Sequence, residues 1–262
     1  MEISASSKKI FAFTIPVLAL FVVLMAVLAF MPHANCHEDP TEQINIVFDK
    51  TKYYSKTQAH SVDDTLVELL TAAPDNAEIN LFYLTKDADR PHLVFHECKP
   101  LTHGNPLFVN VAEQQKNFKR TIIDEIKRKI DLHLQLPSAA PIIESLATIS
   151  RERKITSQLE RQKLIEFDIY SDMMQDSKNV SLSARSVAAN ATADQQICLT
   201  PSSPANRSYD EAYSAVRRLF RDVHVHIYGI RRDSSTSPSY PGERCIRKFW
   251  EPLFPHATWM TL

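Results

Sequence analysis

Two aspartates and two hydroxyl residues stand where a divalent cation could be bound. Asp49 and Thr51 follow the apolar run "INIVF", and Asp172 follows "KLIEFDIYS", so each carboxylate comes directly after a predicted strand. Ser138 lies in the loop "LPSAAP", which leads into a predicted helix. Carboxylate and hydroxyl oxygens suit a hard ion such as Mg²⁺, which keeps several waters. We therefore predict a site for Mg²⁺, or for Mn²⁺, with one position open for an acidic group of a partner.

The segments around these residues alternate between strand and helix patterns. Apolar runs predict strands, and amphipathic stretches predict helices, at 44–48 (strand), 57–71 (helix), 79–85 and 92–97 (strands), 111–134 and 141–150 (helices), 163–171 (strand), 209–220 (helix), 223–230 (the last strand) and 243–254 (helix). This order predicts an α/β fold with a mostly parallel sheet and helices on both faces. The short turn "KDADRP" makes the third strand antiparallel, at the sheet edge. Ligands of such sheets bind beyond the carboxyl ends of the strands, where both aspartates are expected.

The N-terminal part of the chain has the pattern of a membrane anchor. Residues 10–31 carry no charge, and about 20 apolar residues are enough to cross a bilayer as a helix. Lys8 and Lys9 precede the run, which places the N-terminus in the cytoplasm by the positive-inside rule. We predict a cytoplasmic tail (1–9), a single transmembrane signal-anchor helix (10–31), a linker (32–42) and one outward-facing domain (43–262). In a bacterium that domain lies in the periplasm, anchored to the inner membrane.

Composition excludes two classes of partner. The chain has three glycines in 262 residues, so the glycine-rich phosphate loops GxGxxG and GxxxxGKS are absent, and we expect no nucleotide. The net charge of −1 gives no basic excess of the kind that nucleic-acid binding needs.

The four cysteines, Cys36, Cys98, Cys198 and Cys245, are scattered without a CxxC pair. Outside the cytoplasm this favours one or two disulfides over a zinc site, and sequence does not choose the pairing. A polar insertion around 177–208 carries three N-glycosylation triplets, at Asn179, Asn190 and Asn206. These triplets matter only in a eukaryotic cell.

His224 and His226 share one face of the last predicted strand and raise the question of a zinc site. No third ligand is identifiable from the sequence. We interpret the pair as polar strand positions beneath a helix.

The order strand, D-x-T, helix, strand hairpin, helix, hydroxyl loop with "PIIESL" and strand end "SDM" resembles the von Willebrand factor A-like fold with its metal-ion-dependent adhesion site. More narrowly, it is similar to uncharacterised bacterial membrane-anchored proteins of that fold. The resemblance covers residues 43–254. It implies a domain that binds another protein through a metal, with the family's threonine at or near Ser138 and its last aspartate at Asp172.

The first motif of that family, D-x-S-x-S, falls on Asp49, Thr51 and Tyr53. Tyr53 departs from the motif because a phenol replaces the second serine. Ser55, two residues later, is the nearest hydroxyl that could substitute for it.

Two other interpretations stay open. The string "FDKT" also begins the phosphorylation motif of P-type ATPases, which belong to the haloacid dehalogenase superfamily, and Asp49 would then be the nucleophile of a phosphatase. Lys52 and Tyr53 replace the Gly-Thr that should follow. The chain could also be a degenerate, metal-free structural domain. We expect a binding or scaffolding protein and not an enzyme.

Overall fold

The structure is a computed structural model, and it describes residues 40, 42–49, 56–85, 91–100, 111–130, 140–173, 175, 207–229 and 243–261. These residues all belong to one compact unit, Cys36–Leu262. The predicted tail, the predicted transmembrane helix and most of the polar insertion lie outside the described residues. Within the described ranges, no helix is both long enough and apolar enough to cross a membrane.

Six strands and six helices are described. The strands are β1 (Glu42–Asp49), β2 (Glu78–Leu84), β3 (His92–Cys98), β4 (Leu164–Ser171), β5 (His224–Gly229) and β6 (Thr258–Thr261). The helices are α1 (Lys56–Ala72), α2 (Val111–Ile130), α3 (Ile142–Glu152), α4 (Ile155–Glu160), α5 (Arg207–Leu219) and α6 (Glu243–Trp250).

All six strands form one sheet in the order β3-β2-β1-β4-β5-β6. Neighbouring strands are parallel except β2 and β3, which pair antiparallel at one edge. The predicted α/β fold with a mostly parallel sheet and one antiparallel edge strand is therefore confirmed. The strand order changes direction between β1 and β4, so their carboxyl ends form the crevice where ligands of such sheets bind.

Helices cover the sheet on both sides, as predicted. On the side that we call the α1 face, residues of α1 and α2, including Leu66 and Ile122, pack on Ile46 and Leu81. On the opposite side, the α3 face, residues of α3, α5 and α6 pack on the alternate residues of the strands, including Val47, Phe82, Phe167, Ile169, Val225 and Ile227. This two-sided burial explains why the middle of β1, "INIVF", is apolar at every position except the buried Asn45.

The C-terminal part differs from the prediction. The helix predicted over 243–254 ends at Trp250, where the chain turns before Pro252 and Pro255. Proline has no amide hydrogen and clashes with the preceding helical turn, so the helix cannot continue. Residues Thr258–Thr261 then add β6 beside β5, so the expectation that β5 is the last strand is wrong. Four residues at a sheet edge are too few to give a clear alternating pattern.

Three aromatic rings lie side by side across the α1 face. Phe48, Tyr170 and Tyr228 occupy paired positions of β1, β4 and β5. Phe48 stacks on Tyr170 with 4.6 Å between ring centroids, and Tyr170 stacks on Tyr228 at 4.4 Å. Stacked aromatic pairs contribute about 0.5–1.5 kcal/mol each beyond the area they bury.

Cys98, at the end of β3, is fully buried and disulfide-bonded. This agrees with the expectation that the scattered cysteines form a disulfide. The side chains of Cys36, Cys198 and Cys245 lie outside the described part of the chain.

Candidate functional site

The last residues of β1 and β4 meet at the carboxyl edge of the sheet. Asp49 is completely buried, and the hydroxyl of Ser171 donates a 2.9 Å hydrogen bond to its Oδ2 atom. The Ser171 hydroxyl in turn accepts a 2.9 Å hydrogen bond from the backbone N–H of Met173. Ser171 therefore fixes the orientation of the Asp49 carboxylate and ties it to the segment that carries Asp172.

The segment after β4 is hydrogen-bonded to two helices of the α3 face, α6 and α3. Met173 has a left-handed φ of 56°, and its carbonyl accepts a 2.8 Å hydrogen bond from the indole N–H of Trp250. Two residues on, the side-chain oxygen of Gln175 accepts a 3.0 Å hydrogen bond from the backbone N–H of Ile143. Gln175 thus satisfies a free donor of the first turn of α3. The start of α3 consequently lies beside the end of β4.

The structure brings two of the predicted metal ligands to one edge of the sheet. Phe48 pairs with Tyr170 on the adjacent parallel strand, so Asp49 lies one residue and Asp172 two residues beyond this pair. Asp172 is 8% exposed. Thr51, Ser138 and the alternative ligand Ser55 lie outside the described residues, so their part in the site stays a prediction.

The described part of this edge suits a hard cation. Its polar atoms are carboxylate and hydroxyl oxygens, the ligands that Mg²⁺ prefers. A carboxylate buried as deeply as Asp49 is costly unless it is paired, hydrogen-bonded or coordinated. The hydrogen bond from Ser171 contributes to this requirement, and coordination of a cation would contribute as well.

A second group of ionisable side chains lies on the α1 face. Glu166 and Asp168 alternate along β4 and so project from the same face, and His226 of β5 lies opposite Asp168. The Nδ1 atom of His226 is 2.8 Å from Oε1 of Glu166 and 3.3 Å from Oδ1 of Asp168. The three potential ligand atoms all lie within 4.8 Å of one another.

Burial perturbs the ionisation of this group. Desolvation, with a smaller contribution from the charge of Asp168, raises the pKa of Glu166 to about 7. Desolvation also raises the pKa of Asp168, although hydrogen bonds from His226 and Tyr228 oppose the rise. The pKa of His226 is raised mainly by its hydrogen bond to Asp168. Glu166 and Asp168 therefore both contact His226 in a region that is partly shielded from water.

The sequence interpretation named His226 but missed its carboxylate partners. Glu166 and Asp168 are visible in "LIEFDIY" as two acidic residues, two positions apart, within an otherwise apolar strand. Acidic residues inside a strand that is covered by helices are unusual, and this pattern was the available signal. The pairing of β4 with β5 was needed to connect them to the histidine.

The sequence matches no protein-family model and no curated protein. Its fold is similar to several solved structures. A von Willebrand factor type A protein from Catenulispora acidiphila is 11% identical, with a TM-score of 0.47 over 85% of this chain and 39% of that one. The human COPII-coat protein Sec24c is 7% identical, with a TM-score of 0.46 over 85% of this chain and 30% of that one.

The ArnB paralog VWA2 from Sulfolobus acidocaldarius is 8% identical, with a TM-score of 0.38, over 86% of this chain and 42% of that one. This chain thus spans less than half the length of these three proteins. Two of these three structures are described as von Willebrand factor A proteins.

Proposed function

We propose that this chain is a membrane-anchored, outward-facing domain that binds another protein through a divalent cation. Asp49 and Asp172, with Thr51 and Ser138 from the neighbouring loops, hold Mg²⁺ or Mn²⁺ at the carboxyl edge of the sheet. The cation supplies a positive charge with open coordination positions, one of which takes a carboxylate of the partner.

One observation carries the metal part of this proposal. The ends of β1 and β4 are neighbours at the point where the strand order reverses. β1 ends at Asp49, and Asp172 directly follows β4. Asp49 is fixed there by Ser171 and shielded from solvent. The membrane part rests on the uncharged run of residues 10–31, and the outward orientation rests on Lys8 and Lys9 before it.

The metal is tested by thermal unfolding of the full chain in detergent micelles, first freed of metal with a chelator. A ligand at 100 times its Kd stabilises a protein by about 2.7 kcal/mol, so saturating Mg²⁺ should raise the Tm by several degrees. Asp172→Asn should abolish the rise. Asp64→Asn, which removes an exposed aspartate of α1, is the matched control and should retain it. An equal rise in the wild type and in Asp172→Asn would rule out this site.

Partner binding is tested by capture from solubilised membranes in Mg²⁺ and in EDTA. Proteins that the wild type retains only in Mg²⁺, and that Asp172→Asn does not retain, support the proposal. Hydrolysis of p-nitrophenyl phosphate that is lost in Asp49→Asn would instead establish a phosphatase.

A further inference from the structure

We propose that Glu166, Asp168 and His226 form a second cation site, which binds a divalent transition metal such as Zn²⁺ through three protein ligands and leaves one coordination position open. This inference does not depend on the proposed function, because it concerns different residues, a different part of the sheet and a different class of metal.

The two sites are separated by the geometry of β4. Asp168 lies three residues before Ser171, which corresponds to about 10 Å along a strand. Side chains an odd number of positions apart project from opposite faces of a sheet. Asp168 therefore belongs to the α1 face, whereas Ser171 and the Asp49 carboxylate that it contacts lie on the α3 face.

The spacing of the ligand atoms is close to that of a tetrahedral zinc site. Bonds of about 2.0–2.2 Å from Zn²⁺ to nitrogen and oxygen place neighbouring ligand atoms roughly 3.3–3.6 Å apart. The Nδ1 atom of His226 is 2.8 Å from Glu166 and 3.3 Å from Asp168. Lengthening the distance between His226 and Glu166 by about 0.5–0.8 Å would bring this pair of atoms into that range.

One carboxylate oxygen of Asp168 has no hydrogen-bond partner among the residues that the structure describes. Asp168 is completely buried, and its Oδ2 atom forms no hydrogen bond with any described residue. Leaving a buried acceptor unsatisfied costs about 1–3 kcal/mol, and more for a charged one. Coordination of a metal ion would satisfy this oxygen, which the contacts of Asp168 with His226 and Tyr228 do not do.

The charge of the surroundings also favours a cation. Two carboxylates face one histidine, and Glu42 lies near enough for the charge of Asp168 to raise its pKa further. The charge of His226 lowers the pKa of Glu166, and the charge of His224 lowers the pKa of Glu42. Tyr228 and Tyr170 also lie on this side of the sheet, and burial raises the pKa of Tyr228, so its phenol is uncharged at neutral pH.

The ligand types and the exposure indicate which metal can enter. An imidazole nitrogen suits Zn²⁺, Fe²⁺ and similar ions better than Mg²⁺ or Ca²⁺, which prefer oxygen ligands. The side chains of Glu166 and His226 are 20% and 31% exposed, so an ion can reach them from solvent. Three protein ligands leave the fourth position of a tetrahedral ion for water or for a ligand from another molecule.

The test uses the full chain in detergent micelles, stripped with EDTA and kept free of reductant. Zn²⁺ is titrated against a chromophoric chelator, and Co²⁺ is added separately because its visible spectrum reports a tetrahedral site. We expect one equivalent of Zn²⁺ to bind, with the affinity reduced at least tenfold in His226→Gln and in Glu166→Gln. His224→Gln is the matched control, since it removes a histidine two positions away on the same strand and face, and its affinity should stay within twofold of the wild type.

Three results would overturn the proposal. These are no Zn²⁺ binding with a Kd below about 100 μM, unchanged affinity in His226→Gln, or a loss in His224→Gln as large as in His226→Gln. The Zn²⁺ affinity of Asp168→Asn is measured in the same way, provided that circular dichroism shows that this variant folds. Asp172→Asn should bind Zn²⁺ normally and lose only the Mg²⁺ response, so failure of one site is distinguished from failure of the other.

Discussion

Replacing Glu166 by glutamine should stabilise the metal-free protein at pH 8 and change its stability much less at pH 5. The pKa of Glu166 is raised from 4.5 to about 7 in the folded protein, chiefly by burial. The folded state therefore holds this proton more tightly than the unfolded state. Stability contributed by the protonated carboxyl is present below pH 4.5 and is lost as the pH rises through about 7. Glutamine has no proton to lose.

The difference between 4.5 and about 7, at 1.36 kcal/mol for each pKa unit, corresponds to at most about 3.4 kcal/mol above pH 7. Two features reduce the gain. The ionised carboxylate lies 2.8 Å from His226, and the side chain is 20% exposed. We therefore expect Glu166→Gln to raise the free energy of unfolding by about 1–2 kcal/mol at pH 8.

The assay is urea unfolding in EDTA at pH 5, 6.5 and 8, followed by tryptophan fluorescence. Glu160→Gln, on the exposed side of α4, is the control and should change stability by no more than about 0.5 kcal/mol at each pH. The pKa of His226 is also raised, mainly by its hydrogen bond to Asp168, so proton loss from it lowers stability in the same direction. Glu166 contributes to that rise, so this part of the pH dependence is smaller in Glu166→Gln. A variant that is destabilised equally at pH 5 and pH 8 would refute the reasoning.

Two further predictions concern the carboxyl edge. Ser171→Ala removes the hydrogen bond to the buried Asp49 and should lower the free energy of unfolding by about 1–3 kcal/mol, while calorimetric Mg²⁺ affinity falls and Zn²⁺ affinity does not. Trp250→Phe removes the indole donor to the Met173 carbonyl and should cost about 1–3 kcal/mol in urea unfolding, with a smaller loss of Mg²⁺ affinity than in Asp172→Asn. If the free energy of unfolding of either variant equals that of the wild type, the hydrogen bond that it removes does not contribute to stability.

The fold could be predicted from the sequence because its signals are local. Continuous apolar runs separated by amphipathic stretches mark buried parallel strands, and the short turn between β2 and β3 requires an antiparallel pair. The position of Asp49 and Asp172 at one edge then follows from the general rule for parallel sheets. The short β6 was missed because four edge residues give almost no pattern.

The second cluster could not be predicted because its contacts are not local. His226 lies 58 residues after Asp168, and only the pairing and register of β4 with β5 place them opposite each other. A change of one residue in that register would turn the histidine to the other face of the sheet. The hydroxyl ligands Thr51 and Ser138 are predicted from their place in the order of elements and from the family resemblance, and neither determines where a loop side chain points.

The row of stacked rings formed by Phe48, Tyr170 and Tyr228 has a mechanical consequence. Each ring lies at a paired position. Sliding β4 by two residues relative to both β1 and β5 would therefore break both stacks and bring a carboxylate against an aromatic face. The three strands therefore resist shear as a unit. Any movement that accompanies ligand binding at the carboxyl edge must then occur in the loops and helices around the sheet, while the register of β1 with β4 stays constant.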